Sequence, residues 1–236
     1  ARSLPSAAVS PASLIARLRA VPAWTSATVM VGTVAFLSLA ALVALGATRE
    51  ADLATTMALQ SVASEPLDVL VNWHTLLGQL VVTLSAAVIL TVVAWRRLGG
   101  YAWIAPLFIL ATGAIELIFK FALLHPGPPD EFVRAFMNPL GVRLHSPSSF
   151  PSGHLARLTF LSITLAGLFP SRASWTTAVA FVAFTLFARV YIGDHWISDA
   201  LAGLALGAAV AALAVGWMRA MADAGGPPEA QVSVRR

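Results

Sequence analysis

The sequence predicts an all-α protein, a bundle of six helices that cross a membrane. Three observations predict it. Hydrophobic residues make up 58% of the 236 residues and charged ones 11%, with a mean hydropathy of +0.80. A soluble domain of this length needs more charge to cover its surface. The apolar residues fall into six blocks, each near the ~20 residues that cross a hydrocarbon core. The arginines gather in alternate connections between the blocks, as the positive-inside bias requires of a multi-pass protein.

The first block runs from about Trp24 to Ala47, and the second from Leu67 to Trp95 with His74 inside it. The third runs from Tyr101 to Leu124 and the fourth from Gly153 to Leu168. The fifth covers Trp175 to Ile192 and the sixth Asp199 to Met221. Residues 1–22 are polar and contain arginine, with a short surface helix expected around Leu14 to Leu18. The apolar stretch behind them is too long for a cleavable signal peptide and shows no small-residue cleavage site. Residues 222–236 carry Gly-Gly-Pro-Pro and read as a disordered tail. One membrane domain, 23–221, is therefore expected, with no separate soluble domain.

Connections set the orientation. Arg2, Arg17 and Arg19 precede the first block, Arg96 and Arg97 follow the second, Arg172 separates the fourth from the fifth, and Arg219, Arg235 and Arg236 end the chain. With six spans all of these fall on one side. The other side holds Arg49, Glu50, Asp52, Glu65 and Asp68, and the long loop from His125 to Pro151. Both termini are thus expected in the cytoplasm, and the loops rich in His and Asp outside a cell membrane. Trp24, Trp95 and Trp103 suit interface anchors.

Other classes are excluded. The net charge of +4 is carried by scattered arginines at block ends and forms no basic stripe, which argues against a nucleic-acid partner. The chain has no cysteine, so neither a disulfide framework nor a thiolate metal site exists. Oligomeric state is left open.

Three polar clusters interrupt the apolar pattern, all at outward ends of spans. Ionisable groups at membrane depth are costly and mark functional paths. The first cluster is Lys120, the only lysine among fifteen cationic side chains, followed by His125, Pro126, Gly127 and Pro128. The second is Pro151-Ser152-Gly153-His154, leading into the fourth block. Ser152 is a natural N-cap, Gly153 leaves the backbone open, and a helix N-terminus attracts an anion such as phosphate. The same four residues also suit an ordinary turn before a helix. The third is Arg189, Asp194-His195 and Asp199. His195 and Asp199, four apart, share a helix face, where the carboxylate either fixes the imidazole tautomer for attack or makes a plain structural pair. Arg189 adds a guanidinium shaped for phosphate oxygens.

These spacings resemble the type 2 phosphatidic acid phosphatase (PAP2) superfamily, with its Lys-x6-Arg-Pro, Pro-Ser-Gly-His and Ser-Arg-x5-His-x3-Asp elements. The second element stands intact at Pro151-Ser152-Gly153-His154, and the third as Ala188-Arg189, five residues, His195, three residues, Asp199, with Ala188 for the serine. In the first, Lys120 matches but Gly127 replaces the arginine before Pro128. Arg157, three residues after His154, and His125 are the two candidates to supply the missing positive group; an unrelated ion pair is the other reading of Arg157. Glu116, four before Lys120, either positions that lysine or is a structural partner. His74 reads as a hydrogen-bonded interior residue, and Arg143 and His145 as loop residues.

The resemblance implies a metal-independent, cofactor-free phosphatase. In it His195 attacks phosphorus to form a phosphohistidine, Asp199 orients it, and His154 protonates the leaving oxygen and then activates water. Lys120, Ser152, Gly153 and Arg189 hold the phosphate oxygens. A site at the outer membrane interface implies a lipid phosphate or diphosphate as substrate: polyprenyl diphosphate, phosphatidylglycerophosphate or phosphatidic acid. Two other outcomes fit the same residues, a lipid phosphotransferase and a non-catalytic lipid-binding or transport protein.

Overall fold

The computed structural model describes residues 21–134 and 148–222. Among these are eight α-helices and no strand. They are α1 (Ala23–Ala44), α2 (Arg49–Gln60), α3 (Glu65–Leu76), α4 (Leu80–Leu98), α5 (Ile109–Ala122), α6 (Gly153–Leu168), α7 (Arg172–Tyr191) and α8 (Ile197–Met221). A 3₁₀ segment, Ala102–Phe108, leads into α5. Pro106 lies inside it, where its missing N–H is tolerated before the regular helix begins. The expected surface helix at Leu14 to Leu18, the loop residues Arg143 and His145, and the tail beyond Ala222 lie outside the described residues.

Five segments are long and apolar enough to cross a membrane: α1, α4, Ala102–Ala122, α7 and α8. The sixth, α6, is a shorter apolar helix of 16 residues. It is buried on most of its circumference, so its neighbours rather than lipid cover its sides. The six-helix, all-α bundle expected from the hydropathy pattern is the fold observed.

The second span differs from expectation. The apolar block from Leu67 to Trp95 is two helices, α3 and α4, and the membrane-crossing part is Leu80–Leu98. The break falls at Leu77 to Gln79, where tight turns replace the helical ladder, as Leu77, Gly78 and Gln79 donate to the carbonyls three residues back. At the break, Gly78 lies against the imidazole of His154, where a Cβ would collide. Hydropathy does not see this break, because leucine and glycine keep the window apolar. The amphipathic α2 was also not expected. It fills the connection after α1 and has Glu50 and Asp52 in its first turn, where acids complement the helix dipole.

The bundle is organised around α8. Gly203 and Gly207, one turn apart, face α6: a Cβ on Gly203 would strike the Ser152 carbonyl, and one on Gly207 the Ala156 carbonyl. Small residues at i and i+4 let two membrane helices approach backbone to backbone. The core built there includes Phe36 of α1, Phe150, Ala156, Phe160, Leu206, Val210 and Met218. At the end of the bundle away from the polar clusters, Trp24 and Trp175 meet edge to face at 5.7 Å, and Arg219 lies over Trp24 and Arg97 over Phe169. Those arginines, with Arg96 and Arg172, occupy one end; Lys120, His154, Arg189 and Asp199 occupy the other.

Candidate active site

Four helix ends converge at that second end. Lys120 closes α5, Ser152 and His154 open α6, Arg189 ends α7, and Asp199 lies in the first turn of α8. The turn between α7 and α8 depends on Gly193, whose φ of +74° suits glycine and whose absent side chain lets the Phe132 carbonyl pack against it. Arg134 N–H donates to the Ile192 carbonyl at 2.9 Å, and the Gln60 amide donates to the Phe132 and Tyr191 carbonyls at 2.7 and 2.9 Å. These bonds hold the loop that presents His195. Asp68 anchors the same corner, accepting two bonds from Arg134 at 2.8 and 2.6 Å and one from the Tyr191 hydroxyl at 2.7 Å.

His195 and Asp199 are neighbours: the imidazole Nδ1 is 3.5 Å from Asp199 Oδ2. Asp199 Oδ2 also accepts the Trp196 N–H at 3.0 Å, which fixes the carboxylate at the N-terminus of α8. Nδ1 is the ring nitrogen that faces the acid, though at 3.5 Å it makes no hydrogen bond. Burial, together with the cations Arg189 and Lys120, pushes the His195 imidazole well below its usual range, favouring the neutral form. His154 has Arg189, Arg157, His195 and Lys120 as its electrostatic neighbours, so the two histidines share one pocket of positive charge.

Ser152 stands at the N-cap of α6, but its side chain makes no cap hydrogen bond, and its buried hydroxyl has no partner. The residue is held by its backbone instead: its N–H donates to the Asp199 carbonyl at 3.0 Å, tying the start of α6 to α8. Gly153 has no room for a side chain because the Glu116 carboxylate occupies the place of a Cβ. Lys120 is buried and donates to the carbonyls of Ser148 and Ser149 at 3.2 and 3.5 Å. Arg189 bridges to Asp194 at 2.8 Å and reaches Thr75 Oγ1 at 3.5 Å, with its Nε unpartnered.

The two candidates for the missing arginine are placed differently. Arg157 is buried in an ion pair with Glu116 at 2.7 Å and donates to the Gly78 carbonyl at 3.2 Å. Glu116 is thus the partner of Arg157, while remaining within electrostatic range of Lys120. His125 turns its Nε2 toward two carboxylates, 3.5 Å from Asp199 Oδ1 and 4.0 Å from Asp52 Oδ2. At Gly127 a Cβ would meet only the Ser149 side chain at 3.5 and 3.9 Å and the Asp194 carbonyl at 4.0 Å, so packing does not demand glycine there. His74, in α3 and not in a span, bonds Thr185 Oγ1 at 2.9 Å and packs on Phe181 and Phe184, an interior residue.

Sequence reasoning did not single out Asp52 or Thr75. Both reach the site from connections that hydropathy treats as loop or span, and no spacing rule links them to α7 or α8.

Comparison with known proteins fits this arrangement. A crystal structure of a transmembrane PAP2 type phosphatidylglycerolphosphate phosphatase from Bacillus subtilis superposes with a TM-score of 0.66 at 22% identity, over 79% of this chain and 94% of that one. A crystal structure of Aquifex aeolicus LpxE superposes with a TM-score of 0.52 at 17% identity, over 69% of this chain and 93% of that one. At these identities the likeness is one of fold. Comparison with curated proteins finds no match. The PAP2 superfamily profile matches residues 101–222, the stretch that carries all three polar clusters, and on that match the chain belongs to the PAP2 superfamily.

Proposed function

We propose that this protein is a membrane lipid phosphatase that works through a phosphohistidine at His195. One observation carries the reading: a buried imidazole, its Nδ1 3.5 Å from a buried carboxylate, lies beside a second histidine and two cations. In the first step the His195 Nε2 lone pair forms a bond to phosphorus as the bond to the leaving oxygen breaks. The Nδ1 proton stays toward Asp199, whose charge stabilises the imidazolium-like intermediate. His154, protonated when the substrate's own negative charge enters the site, gives its proton to the leaving oxygen. The now neutral His154 then takes a proton from water, the hydroxide displaces His195 from phosphorus, and inorganic phosphate leaves. Lys120, Arg189, the Ser152 hydroxyl and the Gly153 N–H are suited to hold the phosphoryl oxygens as charge builds on them. Arg157 is auxiliary to that set, whereas His125, the other auxiliary candidate, turns its Nε2 toward Asp199 and Asp52. No metal enters this scheme.

A site at one end of a bundle of candidate spans suits a substrate whose head group carries phosphate and whose tail stays in the bilayer. Polyprenyl diphosphate, phosphatidylglycerophosphate and phosphatidic acid are the classes to try. The arginines at the far end favour a cytoplasmic side for that end, and so a site outside a cell membrane with both termini cytoplasmic. Because the natural chain has no cysteine, Asp130→Cys and Arg172→Cys report the orientation directly. An impermeant maleimide applied to intact cells should label the first and spare the second; the reverse pattern refutes this topology.

The enzymatic test is phosphate release by purified protein in detergent, with chelator present, from a panel of lipid mono- and diphosphates. Release that is lost in His195→Ala supports the reading, and a ³²P label retained on acid-quenched His154→Ala would mark the intermediate. No release by folded protein from any lipid overturns it. Phosphotransfer, the second reading, would appear as product that forms only when a hydroxyl acceptor is added.

A further inference from the structure

Asp199 is approached from both sides. One oxygen, Oδ2, faces His195; the other, Oδ1, is buried, has no hydrogen-bond partner, and lies 3.5 Å from the Nε2 of His125. That Nε2 is also buried and unpartnered. Two complementary atoms without partners therefore face each other. An imidazole nitrogen turned toward two carboxylates must carry a hydrogen, since a lone pair there would be repelled by both.

The second carboxylate belongs to Asp52 of α2, 2% exposed. It accepts the Ser198 N–H and the Ser198 hydroxyl, both at 2.9 Å, and so caps α8 beside Asp199. Its Oδ2 is 4.0 Å from His125 Nε2. The His125 backbone is itself pinned: its carbonyl accepts the Ser149 N–H at 2.8 Å and the Ser149 hydroxyl at 3.0 Å, and the next carbonyl, of Pro126, accepts the Trp196 indole N–H at 2.8 Å. Asp52, Asp199, Ser149 and Trp196 come from three different parts of the chain, and all hold this one imidazole in place.

The geometry points to His125 and Asp52 as positioning residues, a second imidazole–carboxylate pair behind Asp199 that keeps its carboxylate aligned on His195. This rests on the reading of His195 as the nucleophile. The charge order runs Asp52, His125, Asp199, His195, carboxylate and imidazole alternating. The His125 imidazole facing Oδ1 at 3.5 Å and the Trp196 N–H donated to Oδ2 favour the carboxylate orientation that faces His195 Nδ1. Without His125 the carboxylate keeps Trp196 and the nearby Ser149 hydroxyl but loses the imidazole that faces Oδ1, and it is held less firmly toward His195. The phosphate pocket, built from Lys120, Arg189 and the start of α6, is untouched by that loss, so turnover should suffer and substrate binding should not.

The experiment compares His125→Leu, His125→Gln, Asp52→Asn and the double variant His125→Leu/Asp52→Asn with wild type and His195→Ala, by kcat and KM on the best lipid phosphate. Asparagine at 52 keeps an acceptor for the Ser198 N–H, so the cap survives. A hydrogen bond to a buried charge corresponds to about 10- to 100-fold in rate. His125→Leu should lower kcat by about that factor with KM within about twofold, and His125→Gln, which restores an N–H at a similar reach, should recover most of the loss. Asp52→Asn should lower kcat less, and the double variant no further than His125→Leu, because Asp52 acts through His125. Wild-type kcat in His125→Leu, or a raised KM at unchanged kcat, overturns the proposal while an inactive His195→Ala leaves the nucleophile reading standing. Full activity in His195→Ala overturns that reading instead. If His125→Leu does not fold, additive losses in His125→Gln and Asp52→Asn combined would refute the coupling just as well.

Discussion

Arg157 and Glu116 form an ion pair at 2.7 Å with both side chains buried inside the bundle, directly behind the residue that starts α6. The carboxylate sits where a side chain on Gly153 would be, and the guanidinium holds the Gly78 carbonyl beside the His154 ring. The pair thus supports the site from behind: the carboxylate fills the space at Gly153, and the guanidinium holds Gly78, on which the His154 ring packs.

Breaking one partner strands a charge in a place with no water. Arg157→Met or Glu116→Leu should each destabilise the protein by about 3–5 kcal/mol, whereas the double variant should recover most of that loss. Thermal unfolding in detergent reads the stability, and kcat/KM on the refolded double variant reads the chemistry. An auxiliary phosphate-binding role for Arg157 predicts that kcat/KM stays low in the stable double variant; recovery of both would leave Arg157 a structural residue.

His195 supplies a prediction in pH. Burial and the cations Arg189 and Lys120 hold its imidazole well below the ordinary range, so it stays neutral, and nucleophilic, to lower pH than a free histidine. Protonation is what inactivates it. The acid limb of kcat/KM set by this group should therefore lie below about pH 6.5. Substituting Lys120 by methionine removes one of the depressing charges and should move that limb upward. A limb at or above the ordinary histidine range in the native protein would contradict the electrostatics described for this site.

The six-helix bundle was legible because membrane crossing imposes a length and a composition, and both survive in a single sequence. The break between α3 and α4 was not, since it lies where Gly78 meets His154, residues 76 positions apart in the chain. At the site, the clusters at Lys120, at Ser152 to His154 and at Arg189 to Asp199 were legible as separate polar interruptions at span ends. That His125 faces Asp199, and that Asp52 caps α8 through Ser198 from 146 residues away, follows from packing of α2 against α8 and leaves no periodic trace. Arg157 was ambiguous for a related reason. A charge in an apolar segment announces a partner, but spacing alone left open a phosphate and an unrelated ion pair.

Gly127 stands where the superfamily pattern has arginine, and the surroundings leave space for a side chain to begin there. Gly127→Arg should therefore fold normally and add a guanidinium to the pocket. A charge-assisted contact to phosphate corresponds to about 1.5 kcal/mol or more, roughly tenfold in affinity. The expected result is a KM about tenfold lower and tighter inhibition by inorganic phosphate. Unchanged values would mean that the loop around residue 127 points its side chain away from the phosphate.

Gly203 and Gly207 separate the packing of α8 from its chemistry. Both lie against backbone carbonyls of α6, Ser152 for the first and Ala156 for the second, and alanine at either position must push the helices apart. Overpacking of this kind destabilises by about 1–3 kcal/mol, and the two variants should lose similar amounts in thermal unfolding. Their effects on turnover should diverge. At Gly203 the displaced group is Ser152, whose N–H is bonded to the Asp199 carbonyl, so the shift falls on the joint that sets His154 against His195. A displacement near 1 Å at such a joint can lower turnover about 100-fold. At Gly207 the shift falls one turn farther along both helices, where no site residue is attached, and kcat should fall only a few-fold. Equal losses of kcat would show that α6 and α8 move as rigid bodies. Unequal losses, with Gly203→Ala the worse, would show that the site is sensitive to the local contact between Ser152 and Asp199.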